Sequence, residues 1–283
     1  MRWRWVVGLR RVLDRYGAAG GGLLAGGLAY AALFAIVPGV VLLAGVAGIV
    51  YADPAARAEA VGVLAGVLLP LREVVEDVLE EVAKSAAPVS IIGAVVLVWG
   101  TSRFVVSFQD AIGRVMGGDQ RRGIVAQNLG ALVAVVLMIA AIPASALLTA
   151  AADFLEVGQA SGVLQAVGAA LSIALQAVPI VATIGATILV YRIVPRPAPA
   201  WRATLFPGIT IGLVLTLVAR AFVFLAPRLI GTAALIGTLA TVFAALAWLA
   251  LSFQAILIGA AWVAEREEAI RSADVRRATE EQS

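Results

Sequence analysis

The chain has 283 residues, 62% of them hydrophobic and only 14% charged, with a mean hydropathy of +1.00; soluble domains carry roughly 25% charge, so this composition belongs to an integral membrane protein. Cysteine and histidine are both absent, which excludes disulfides, thiolate and imidazole catalysis and the usual zinc ligands, so the chain is read as a non-enzyme without a cofactor. The net charge of +3 and pI near 9.8 do not call for a nucleic-acid partner, because membrane proteins gather arginine on their cytoplasmic side.

In chain order, residues 1–22 read as a cytoplasmic interfacial helix. Trp5, Leu9, Val12 and Tyr16 fall at helical spacing with Arg4, Arg11 and Arg15 on other faces, the pattern of a helix lying on anionic lipid. Residues 23–263 read as a membrane domain of six spans: Leu23–Val50, Val89–Phe108, Ile124–Ala151, Val163–Tyr191, Thr204–Leu225 and Thr232–Val263. Each covers a hydrocarbon core of about 30 Å at about 1.5 Å per residue. Near the start of the first span, Gly22 and Gly26 form a small-xxx-small pair suited to close helix packing. Between the first two spans lies an extracytoplasmic insertion, residues 53–88, whose apolar positions from Val61 to Val82 recur at steps of three and four, with a helix interruption at Pro70. It reads as amphipathic helix resting on the bundle or the lipid, or as a lid or a surface for an envelope protein partner. Residues 264–283 form a cytoplasmic charged tail, expected to fray from the last span with its charges solvated.

Loop charge sets the orientation. Fifteen basic residues, from Arg2 to Arg15, Arg114 to Arg122, Arg192 to Arg202 and Arg266 to Arg277, fall on one side, against Arg57, Arg72, Lys84 and Arg228 on the other. Both termini are therefore expected in the cytoplasm.

Few polar residues interrupt the spans. Arg103 stands inside the second, where a cation costs roughly 2.5 to 3.5 kcal/mol on insertion scales. It falls in the cytoplasmic third of that span on this topology, and Asp110 at its cytoplasmic end. No Asp or Glu then remains in the hydrocarbon, which disfavours ion coupling through carboxylates. Ser172, Gln176, Thr183 and Thr187 form one stripe of the fourth span and Thr238, Thr241, Trp248 and Ser252 one of the sixth; such stripes join helices or line a path. Gln176 lies nearest the bilayer centre. Three spans per half would allow a 3+3 inverted repeat, pairing Pro38 with Pro179 and Arg103, towards the cytoplasm, with Arg220, towards the outside. Coincidence accounts for the same pairs, since proline is common in membrane helices and an arginine near a span end can snorkel.

The segments LAYAALFAIVPGVVLL (Leu28 to Leu43), WGTSRFVVSFQDAIGRVMG (Trp99 to Gly117) and WLALSFQAILIGAAWVAE (Trp248 to Glu265) resemble the YihY/BrkB family, six-span bacterial inner-membrane proteins long mislabelled as ribonuclease BN. Tyr30, Pro38 and Arg114 match its motifs, whereas Ala35 and Val37 replace a serine and a phenylalanine. The resemblance implies a cell-envelope role with links to lipid handling. Combined with the residues, it suggests binding or translocation of lipid or another anionic amphipath: Arg103, Arg220, Gln176, Arg114 and Tyr30 as substrate contacts, and Pro38 and Pro179 as helix breaks for gating. The alternative is a non-transporting scaffold holding a partner through residues 53–88. Nothing in the residues supports a nuclease.

Overall fold

The computed structural model describes residues 2–50, 91–117, 177, 180–195, 197–232 and 238–281. The insertion 53–88, the span Ile124–Ala151, Ser172, Gln176 and Pro179 lie outside the described residues. Among those described, every regular element is helical: α1 Arg2–Ala18, α2 Gly21–Val50, α3 Ile91–Met116, α4 Ile180–Ile193, α5 Trp201–Thr232 and α6 Thr238–Glu280. Two are long and apolar enough to cross a membrane, through Trp201–Leu225 and Val242–Glu280. By backbone contacts the chain divides into one unit of Met1–Leu33, Arg103–Arg121 and Thr183–Ser283 and a second of Phe34–Ser102 and Arg122–Ala182.

α6 is the mast of the first unit. It has 43 residues and is about 65 Å long at 1.5 Å per residue, twice a hydrocarbon core. Leu257, Ala260, Ala261 and Val263 on it are fully buried, because four helices pack around it. Phe253 meets Phe104 and Phe108 of α3, with ring centroids 5.9 and 6.0 Å away. Tyr191 of α4 is buried and its hydroxyl donates to the Ile256 carbonyl at 2.8 Å. The ring lies where a side chain on Gly259 would stand. α5 runs antiparallel to α6, with Phe206 against Trp262 and Phe222 against Trp248. α4 presses on α5 at Gly208 and Gly212, where an added Cβ would lie 2.5 Å from Ile188 and 2.7 Å from the Cα of Ile184. This small-xxx-small pair brings two backbones together. Gly26 does not: a Cβ there meets nothing within 4 Å, and at Gly22 only the Tyr16 hydroxyl comes near, at 3.9 Å. The close packing expected at Gly22 and Gly26 is thus found at Gly208 and Gly212.

α1 and α2 meet at 61°. Gly20 makes the corner in the left-handed region at φ 70°, which costs a residue without Cβ little. Val12 of α1 is buried, so part of the stripe expected to face lipid docks on the protein. α2 continues as one helix through Pro38, the residue offered as permitting a helix break for gating.

Two boundaries differ with consequence. The helix of the second span does not stop at Phe108 but continues two turns, to Met116. The sixth does not fray at Glu265, since α6 runs to Glu280. Its first tail turns are tied into the bundle by ion pairs and are not a solvated face.

Candidate functional site

α3 separates two faces. Phe104 and Phe108 pack on Phe253, and Gln109, Ala111, Ile112 and Val115 are buried. Arg103, Ser107, Asp110 and Arg114 are exposed. Their steps of four, three and four residues put all four on one line of the helix. The line is about 17 Å long from Arg103 to Arg114 at 1.5 Å per residue, and none of its charges forms an ion pair among the described residues. Gln109, the remaining polar group of this stretch, points inward, and its amide oxygen is buried without a partner.

Contacts with α6 fix the height of these residues. At one end Arg15 bridges Met116 of α3 and Glu265 of α6; higher up Phe104 and Phe108 flank Phe253. Arg103 is thus about 20 Å along α3 from the Arg15 layer, and Phe253 about 18 Å along α6, so the two helices run parallel in step. On α5, Phe222 meets Trp248, which puts both Arg220 and Arg103 level with about Ala250. By this register Arg103 and Arg220 share one height along α6, whereas the sequence reading sets them towards opposite faces of the membrane. The extra length of α3 underlies this register, and Asp110 stands about 9 Å along the helix from Met116. Arg220 is exposed on α5, and no contact joins it to Arg103. Tyr30 on α2 is exposed as well.

Two hydroxyls of the stripes bond within their own helices. Thr187 donates to the Thr183 carbonyl at 2.7 Å and Ser252 to the Trp248 carbonyl at 2.8 Å, the i−4 bond that satisfies a hydroxyl without a partner helix.

The densest polar cluster went unrecognised in the sequence. Arg15 donates Nε to the Val115 carbonyl at 3.1 Å and Nη2 to the Met116 carbonyl at 3.3 Å. These last-turn carbonyls have no intrahelical donor, because α3 ends at Gly117 in the left-handed region, φ 73°. The same guanidinium pairs with Glu265 at 3.1 Å and Glu268 at 2.7 Å. The hydrogen bond to Glu268 holds Arg15 protonated even more firmly than usual, and its counterpart holds the Glu268 carboxyl below the ordinary carboxylate value. Glu267 accepts the Ala200 N–H at 2.8 Å and pairs with Arg271 at 3.1 Å. A cleft of about 180 Å³ lies here, lined by Arg15, Met116, Pro195, Pro199, Glu267 and Arg271 among others. Its charges are all spent on one another. The cluster joins α1, α3, α6 and the turn before α5, which is the work of a clamp. Among the described residues no three acidic side chains come together as metal ligands.

A family model described as virulence factor BrkB matches residues 12–283. No curated protein matches the chain, and no solved structure does.

Proposed function

From the premise that the chain belongs to the virulence factor BrkB family, we propose that it is a six-span protein of the bacterial inner membrane, termini in the cytoplasm, that binds anionic phospholipid and moves its headgroup along α3. The observation that carries this is the exposed line Arg103, Ser107, Asp110, Arg114 on a helix whose opposite face is buried against α6. A headgroup crossing hydrocarbon needs polar partners on the way, and unpaired charges at membrane depth are costly enough to mark a path. A guanidinium at each end offers a phosphate bidentate hydrogen bonds. Asp110 and Ser107 between them accept from an amine or hydroxyl of the headgroup. The acyl chains stay in the bilayer throughout, so only the polar end has to be accommodated.

The test is lipid scrambling in proteoliposomes, read by dithionite quenching of a labelled phospholipid. Arg103→Ala with Arg114→Ala removes two charge-assisted contacts of about 1.5 kcal/mol or more each, so the rate should fall at least about tenfold. An unchanged rate in correctly inserted double variant would falsify the path along α3.

A further inference from the structure

We propose a second site, on the α4–α5–α6 corner, that holds one anionic phospholipid by its phosphate as a fixed structural lipid. It stands whether or not lipid moves along α3. The arginines at this end fall into two sets. Arg15 and Arg271 are neutralised by Glu265, Glu267 and Glu268. Arg192, Arg202 and Arg266 have no carboxylate partner among the described residues, and Arg192 and Arg266 each lie over an aromatic ring. Arg192 lies over the Trp201 ring, 5.1 Å from its centroid, and donates to the Pro199 carbonyl. Arg266 lies 5.6 Å from the Phe206 centroid and donates to the Arg202 carbonyl at 3.2 Å. Phe206 in turn meets Trp262 edge to face at 5.4 Å. The Arg202 side chain is exposed and makes no contact of its own among the described residues. Three arginines without a carboxylate partner among the described residues thus belong to the corner where α4 ends and α5 begins, two of them held there by contacts with Trp201, Pro199, Phe206 and the Arg202 carbonyl.

What lies below them identifies the ligand. Arg202, Phe206, Ile209 and Leu213 follow at steps of four, three and four, so they share a face of α5, and Phe206, Ile209 and Leu213 are 49%, 42% and 50% exposed. A soluble anion would use the arginines and leave that apolar line bare. A phospholipid uses both, its phosphate at the guanidinium groups and an acyl chain along the line. Trp201, half exposed at the first turn of α5, is the residue type that settles at the headgroup level, and basic pockets between membrane helices select anionic headgroups.

Native mass spectrometry of the full chain in detergent, titrated with phosphatidylglycerol or with phosphatidylcholine, tests this. We expect one phosphatidylglycerol to survive conditions that strip phosphatidylcholine. Arg202→Gln should weaken its retention about fivefold, and Arg192→Gln, Arg202→Gln and Arg266→Gln together should abolish the preference. The triple variant also loses the bonds to the Pro199 and Arg202 carbonyls. Arg202→Gln alone loses none, so it decides the matter even if the triple variant misfolds. Equal retention of the two lipids by wild type, wild-type retention by Arg202→Gln, or a lipid-free dimer covering this face would each overturn the site.

Discussion

Replacing Arg15 by methionine keeps the stem and removes five N–H donors from the junction of α1, α3 and α6. The Arg15 and Glu265 side chains are 21% and 24% exposed, and Glu268 is 60% exposed. The Glu265 pair is therefore partly shielded and its loss should cost about 1 to 2 kcal/mol, while the Glu268 pair counts as a surface pair worth under about 1. The carbonyls of Val115 and Met116 can turn to water, which limits their share to about 0.5 kcal/mol each. The sum, about 2 to 4 kcal/mol, corresponds to a fall of roughly 5 to 15 °C in the midpoint of thermal unfolding in detergent, followed by circular dichroism. Arg10→Met is the matched control, since the Arg10–Asp14 pair is 3.8 Å long and 83% and 71% exposed; it should leave the midpoint unmoved. Acid gives an independent check. Glu268 has a lowered pKa in the folded protein, first through its hydrogen bond to Arg15, so its contribution is present above the unfolded value of about 4.3 and is lost as pH falls through the folded one. The gap between wild type and Arg15→Met should hold from neutrality to about pH 5 and narrow below it. The raised pKa of Arg15 gives no loss on the alkaline side of any usable buffer. A variant that melts with wild type at pH 7, or a gap unchanged at pH 3.5, would refute the clamp.

Gly212→Val puts a Cβ 2.7 Å from the Ile184 backbone, so α4 and α5 must part; overpacking of this kind costs about 1 to 3 kcal/mol, and Gly26→Val, with open space around it, should melt higher than Gly212→Val. Tyr191→Phe removes the donor to the Ile256 carbonyl and leaves the ring against Gly259. Because that carbonyl keeps its helical bond, we expect a loss of about 1 kcal/mol, read from the same melts, and a loss above about 3 would show that the hydroxyl does more than this one bond.

Apolar length was legible because a bilayer enforces it: α2 begins two residues before the expected Leu23, and α5 three before Thr204. Helix ends carrying polar residues were not. Glu265 and Glu268 look like a solvated run until Arg15, about 250 residues earlier, is placed against them, and no local pattern announces a partner at that separation. The glycine motif occurs at Gly22–Gly26 and at Gly208–Gly212, and sequence cannot say which pair has a helix opposite; Ile184 and Ile188 decide it. The α3 line was the nearest miss. Arg103, Asp110 and Arg114 were in view, but Ser107, which completes their helical spacing, was not, and ending the span at Phe108 made Asp110 a terminus. Two further turns change the meaning of all four.

The shared height of Arg103 and Arg220 also bears on symmetry. A two-fold axis in the membrane plane exchanges the two leaflets, so an arginine pair related by it must lie at opposite heights. Both are read against the same helix, through Phe253 for α3 and Trp248 for α5, and both fall near Ala250, so this pair gives an inverted repeat no support. The register supplies something more useful. Arg202 and Arg220 lie 18 residues apart on one face of α5, five helical turns and about 27 Å, close to the thickness of a hydrocarbon core. Under the proposed function they are the two levels at which a guanidinium on this helix would meet headgroups. On α3, Arg103 stands near the Arg220 level, and Arg114, about 17 Å further along, stops about 10 Å short of the Arg202 level. The polar line between them therefore leads from one headgroup level towards the other. A pair of arginines can only anchor lipid, whereas a polar line between levels can pass a headgroup along, so the proposed path predicts that Asp110 and Ser107 matter as much as the cations at its ends.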